Sequence, residues 1–142
     1  DTVGSAVFSR DGKTIATAGW DRTVRIWNRK GEQLQVLNGH QDAVWGINFS
    51  KDGKTLASSG EDGSVRLWNL EGTNPKSKIK TATAWRKNLG EGASVSISFS
   101  PKGKILGTTG RLNNGTLWNL QDVEAPNVET LHVTSLQGHT DT

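Results

Sequence analysis

Three copies of one pattern run through this 142-residue chain. A chain built from copies of one unit folds as units that bury their apolar faces on each other. The copies span Ala6–Asn28, Gly46–Asn69 and Ser96–Asn119. Their anchors are Phe8, Phe49 and Phe99, followed by Trp27, Trp68 and Trp118. Each Phe precedes its Trp by 19 residues, and successive copies are 41 and then 50 residues apart.

Each copy reads as β-structure. Val44, Ile47 and Phe49 lie in an apolar stretch that ends at Ser50-Lys51-Asp52-Gly53, a turn sequence in which Gly supplies a positive φ. Lys54–Ser59 alternates as a second strand, and Gly60-Glu61-Asp62-Gly63 is a second turn. Ser64–Trp68 alternates again, with Val65 and Leu67 on one face and Arg66 and Trp68 on the other. A weaker fourth strand follows the first copy at Gln33–Leu37 and the third at Thr130–Leu136. Four short strands with tight turns predict one antiparallel meander per copy, and no segment has helical periodicity.

These landmarks resemble the WD40-repeat β-propeller family, over nearly the whole chain. Gly39-His40 and Gly138-His139 match the Gly-His pair of that signature. Trp27-Asn28, Trp68-Asn69 and Trp118-Asn119 match its terminal Trp-Asp, with Asn in place of Asp each time. The resemblance implies an all-β fold of propeller blades, each of four antiparallel strands. The blades are expected at about 1–38, 39–83 and 84–136, with the start of a further repeat at 137–142. Three blades do not close a ring, because propellers typically have about 4–8. The ring is therefore expected to be completed by other copies of the chain or by further blades of a longer parent.

The family's blades carry a hydrogen-bonded chain of His, Ser or Thr, Asp and Trp. Carried over by position, the second blade has His40, Ser58, Asp62 and Trp68. A buried indole N–H needs an acceptor and a buried carboxylate needs donors, so the set is read as structural and not as a Ser-His-Asp catalytic triad. The first blade has Thr17, Asp21 and Trp27 with no His ahead of them, and His139 is expected to serve a blade of that type on another segment. The third blade has Thr108 and Trp118, with Leu112 and Gly90 at the Asp and His positions, and is expected to be held by packing.

The remaining residues narrow the function. With no cysteine there are no disulfides, thiolate sites or cysteine nucleophiles. The three histidines, His40, His132 and His139, are not at metal-ligand spacing, no phosphate-binding glycine loop is present, and no cofactor is expected. Asn48-Phe-Ser and Asn114-Gly-Thr match the glycosylation pattern without a secretion signal, and are read as coincidence. Without a signal peptide, an apolar span or cysteine, a cytoplasmic location and no membrane partner are expected. The net charge is +3, and the basic residues are mostly scattered. The exception is the insertion at 72–92, with Lys76, Lys78, Lys80, Arg86 and Lys87 around Trp85; it is read as an edge strand at Ser77–Thr81 guarded by lysines, so nucleic acid is not expected.

Trp20 precedes Asp21, and Trp45 opens an innermost strand. In WD40 propellers these positions open on one face of the ring near its centre and often contact partners. Glu61 and Arg111 hold the position equivalent to Trp20 in the next two copies. These four residues are the candidate partner-binding set. The expected function is a non-catalytic protein–protein interaction scaffold for a protein or peptide; the alternative is a structural or sensory propeller segment of a larger protein with no ligand of its own.

Overall fold

The computed structural model describes residues 1–70, 85–88, 94–110, 114–120 and 134–137. They form three four-stranded antiparallel sheets in sequence order. The first contains β1 (Val3–Phe8), β2 (Thr14–Gly19), β3 (Thr23–Asn28) and β4 (Gln33–Asn38). The second contains β5 (Val44–Phe49), β6 (Thr55–Gly60), β7 (Ser64–Asn69) and β8 (Trp85–Asn88). The third contains β9 (Ser94–Phe99), β10 (Ile105–Gly110), β11 (Asn114–Asn119) and β12 (Thr134–Gln137). Strands within each sheet are neighbours in sequence. This is the meander that the short turns dictate.

The sequence misplaced one strand. The outer strand of the second sheet is Trp85–Asn88, with Trp85 opposite Leu67 and Asn88 opposite Ser64. The second sheet therefore extends past residue 83, and Trp85, Arg86 and Lys87 belong to its edge instead of opening the third blade. The expected edge strand at 77–81 lies outside the described residues. Alternation alone cannot choose between two short polar stretches, because an outer strand has little apolar surface to bury.

The turns repeat down to their hydrogen bonds. The Ser50 hydroxyl donates to Asp52 Oδ1 at 2.6 Å, and the Thr55 N–H donates back to Ser50 Oγ at 2.9 Å. Ser9, Asp11 and Thr14 repeat both contacts at 2.7 and 3.0 Å. Gly12, Gly53 and Gly103 close these turns at φ of 66°, 71° and 71°. In the next turn Gly63 takes φ 67°, but its counterpart in the first sheet is Arg22 at φ 69°. A side chain there costs about 1–2 kcal/mol.

The core lies between the sheets. Ala16, Ala18, Val24 and Ile26 of the first sheet pack on Ile47, Phe49, Leu56 and Trp68 of the second. The other side of the second sheet places Ala57, Val65 and Leu67 against Ile97, Leu106 and Trp118 of the third. The alternation on β7 explains the double use, since Val65 and Leu67 face one neighbour and Trp68 faces the other. The three sheets meet along their first strands, with β5 between β1 and β9. They form an arc and leave the ring open. The free side of the first sheet shows what a missing neighbour means: Phe8 is 68% exposed, whereas its counterpart Phe49 is 9% exposed.

The second of these cores contains one local misfit. Ser59 is fully buried where the first sheet has Ala18, and its hydroxyl has no hydrogen-bond partner. It also crowds Gly46, where an added Cβ would come within 2.6 Å of Ser59 Oγ. An unmet buried hydroxyl costs about 1–3 kcal/mol. Ser59→Ala is therefore expected to stabilise the fold by about 1 kcal/mol, measured by chemical denaturation.

Candidate functional site

Two constellations stand out, one buried and one on the surface. The buried one links four elements of the second sheet. Trp68 on β7 has only a donor, and its Nε1–H reaches Ser58 Oγ on β6 at 2.8 Å. The Ser58 hydroxyl is also hydrogen-bonded to His40 Nε2 at 2.7 Å. The Asp62 carboxylate can only accept, so His40 presents its Nδ1–H to it at 3.1 Å. The Asp62 carboxylate also accepts the Gln41 N–H at 2.8 Å, the Ser64 N–H at 3.0 Å and the Ser64 hydroxyl at 2.7 Å.

Burial alone would push the Asp62 carboxyl upward, but the Gln41 and Ser64 hydrogen bonds and the adjacent His40 outweigh it. They hold it at about 2, against an ordinary 3.8. The order Ser–His–Asp imitates a catalytic triad. However, Ser58 has no exposed surface, and its oxygen already receives an indole proton. A nucleophile needs room for a substrate carbonyl, and this one has none.

The first sheet contains the same set without the His. Trp27 Nε1–H donates to Thr17 Oγ1 at 2.9 Å. Asp21 takes the Thr23 hydroxyl at 2.7 Å and pairs with Arg25 at 2.8 Å. The Thr23 hydrogen bond, against the cost of desolvation and with help from Arg25, holds its carboxyl below the ordinary 3.8. The Asp21 side chain is 27% exposed, whereas Asp62 beside His40 is 5% exposed. Among the described residues, the third sheet repeats the Trp118 donation to Thr108 at 2.9 Å. Leu112, Gly90, His132 and His139 lie outside the described residues.

Sequence reasoning missed Ser64, which supplies Asp62 with two of its donors. The signal was present. A hydroxyl residue stands two positions after the Asp in both copies, Asp21-Arg-Thr23 and Asp62-Gly-Ser64, and this spacing lets a carboxylate cap its own turn.

The surface constellation joins the first two sheets. Trp20 sits on the turn between β2 and β3, and its N–H donates to the Thr2 carbonyl at 3.0 Å. Trp45 opens β5. The two indoles meet edge to face, with centroids 5.4 Å apart and planes at 64°. Trp45 Nε1–H then donates to Glu61 Oε2 at 2.6 Å. Three of the four candidate residues thus form one row, Trp20–Trp45–Glu61. Arg111 lies outside the described residues. Trp20 remains 49% exposed even though it touches Trp45.

Among the described residues, no group of three or more His, Asp or Glu could hold a metal ion, and no helix is long and apolar enough to cross a membrane.

Four-stranded blades, repeated Trp-to-hydroxyl bonds and a His–Asp clasp define β-propeller repeats. Residues 1–28 and 31–69 match the family model described as WD40: WD domain, G-beta repeat. WD40 repeats thus occupy residues 1–28 and 31–69. Such repeats generally mediate protein–protein interaction and are typically non-catalytic. No curated protein matches the sequence.

The network has two measurable consequences. Asp62→Ala strands its donors and is expected to cost about 1–3 kcal/mol, seen as a lower denaturation midpoint. The folded carboxyl lies below its unfolded value of 3.8. Its contribution is therefore complete above that pH and is lost as the pH falls toward about 2. The wild-type stability curve should fall across this window, and Asp62→Ala should remove that part of the slope.

Proposed function

We propose that this chain is a non-catalytic scaffold that binds a protein or peptide through the face carrying Trp20, Trp45 and Glu61. The observation that supports this reading is Trp20 itself. It is a large apolar ring, half exposed, braced at its edge by a second Trp. It sits where the next repeat has Glu61, so blade packing does not require an indole at that position. Aromatic anchors held in place before binding lose little entropy on association and dominate binding energy. The turn beneath is also held in the left-handed conformation of Arg22. Arg111 belongs to the same proposed surface by its place in the repeat.

Trp20→Ala is expected to leave stability within about 0.5 kcal/mol, as for an ordinary surface change. It should weaken retention of a captured partner by more than about 1 kcal/mol. Thermal melts and quantitative pulldowns of wild type and variant test this. A variant that unfolds makes Trp20 a core residue and ends the reading.

The free side of the first sheet supports completion of the ring by further blades, either from other copies of this chain or from a larger propeller. Val3 and Phe8 present there the surface that the second sheet buries with Val44 and Phe49. If copies supply the blades, light scattering should show assemblies larger than the monomer that Phe8→Ser weakens. A compact monomer at every concentration counts against assembly from copies.

A further inference from the structure

The connection from the first sheet into the second runs through Asn38-Gly39. The chain has two Asn-Gly pairs, this one and Asn114-Gly115, and every other Asn precedes a residue with a side chain. In an Asn-Gly pair the next backbone nitrogen reaches the side-chain amide carbon most easily, because glycine has no Cβ to crowd the approach. The fold separates the two pairs. Gly115 lies inside β11, opposite Thr109 on one side and Leu136 on the other, so ring closure at Asn114 must open two ladders. Asn38 is the last residue of the outer strand β4, opposite Thr23, and both it and Gly39 are exposed. Among the described residues, neither the Asn38 side chain nor the Gly39 N–H has a hydrogen-bond partner.

The Asp-Gly pairs, which can close the same ring, are held. Asp11 accepts the Ser9 hydroxyl and the Lys13 N–H, and Asp52 accepts the Ser50 hydroxyl and the Lys54 N–H. Asp62 is occupied by Gln41, Ser64 and His40. On either side of Asn38-Gly39 stand two anchors. Leu37 is buried and locked in the ladder opposite Val24, and His40 is buried in the clasp but belongs to no strand. The segment between them has no slack. A Cβ on Gly39 would lie 2.9 Å from Arg66 Nη1 and 3.2 Å from Trp68 Cη2.

We propose that Asn38 is a site of spontaneous deamidation, and that the isoaspartate formed there loosens the His40–Asp62 clasp. The Gly39 nitrogen attacks Asn38 Cγ. The new N–Cγ bond forms, the Cγ–Nδ2 bond breaks, and ammonia leaves carrying the Gly39 proton. Water then opens the cyclic imide at either carbonyl, giving aspartate or isoaspartate. Isoaspartate routes the backbone through the side chain and adds a methylene between Leu37 and His40. The ladder holds Leu37, so His40 is the anchor that shifts. The blade itself does not require asparagine here, since the same place later in the chain reads Leu136-Gln137-Gly138-His139. The inference is independent of the partner surface.

The test ages the full chain in mildly alkaline buffer and follows deamidation by tandem mass spectrometry of tryptic peptides. The peptide Gly31–Lys51 also contains Asn48, followed by Phe49, as an internal control. In the folded chain Asn38 should react at least about tenfold faster than Asn114, whose ladders must open first, and in denaturant the two rates should converge. The isoaspartyl and aspartyl chains are then separated and compared by hydrogen exchange. In the isoaspartyl chain the Gln41 and Ser64 N–H groups, both donated to Asp62, should exchange at least about tenfold faster than in fresh protein. The aspartyl chain has the same charge without the methylene and should keep their protection. Asn38→Gln retains the amide, cannot close the five-membered ring, and should keep protection throughout ageing. An unreactive Asn38, or equal rates at Asn38 and Asn114 in the folded chain, overturns the site. Unchanged protection in the isoaspartyl chain, or equal loss in the aspartyl chain, overturns the loosening by the added methylene.

Discussion

His40 is the residue through which the second blade is tied together. It arrives on the connection from the first sheet, bonds the Ser58 hydroxyl with one ring nitrogen and donates from the other to Asp62. Ser58 in turn takes the Trp68 indole proton. One imidazole thus ties together groups on two strands and a turn, in a place nearly closed to solvent. Removing any member leaves a buried donor or acceptor unmet, so the set acts as a unit. The first sheet shows the looser version. Without a histidine, Asp21 falls back on Arg25, and both side chains are partly open to solvent.

The clasp also positions the surface. Asp62 caps the turn that carries Glu61, and Asp21 caps the turn that carries Trp20. Glu61 is held at its backbone N–H by the Ala43 carbonyl and at its carboxylate by Trp45. Trp45 stands at the start of β5, the strand that both neighbouring sheets pack against. The face proposed for a partner is built on the ends of the blade framework and not on long loops.

Among the described residues, the middle blade has both faces covered by neighbours. The two cores meet on opposite sides of β6 and β7, and strand alternation allots the residues between them. The first sheet keeps an apolar side turned outward at Phe8 and Val3. An arc of blades is thus complete at its centre and unsatisfied at its first edge. Closed propellers remove such edges.

Much of this was legible in the residues themselves. Repeat spacing, turn residues and alternation were enough for three meanders of β-strands, because each depends on local geometry and a period of two. The members of the network, His40, Ser58, Asp62 and Trp68, were legible through the resemblance, which carries those positions over, and the need of buried polar groups for partners gives the physical reason. Tertiary structure decided the rest. It chose Trp85–Asn88 as the outer strand of the second sheet, a choice that local pattern leaves open at an edge with little to bury. It brought in Ser64 as a donor and bonded Trp45 to Glu61, a contact across 16 residues that spacing does not reveal. It also decided that Phe49 is core while Phe8 is surface, although the two occupy the same place in the repeat. Burial belongs to the neighbour as much as to the residue, and only packing supplies the neighbour.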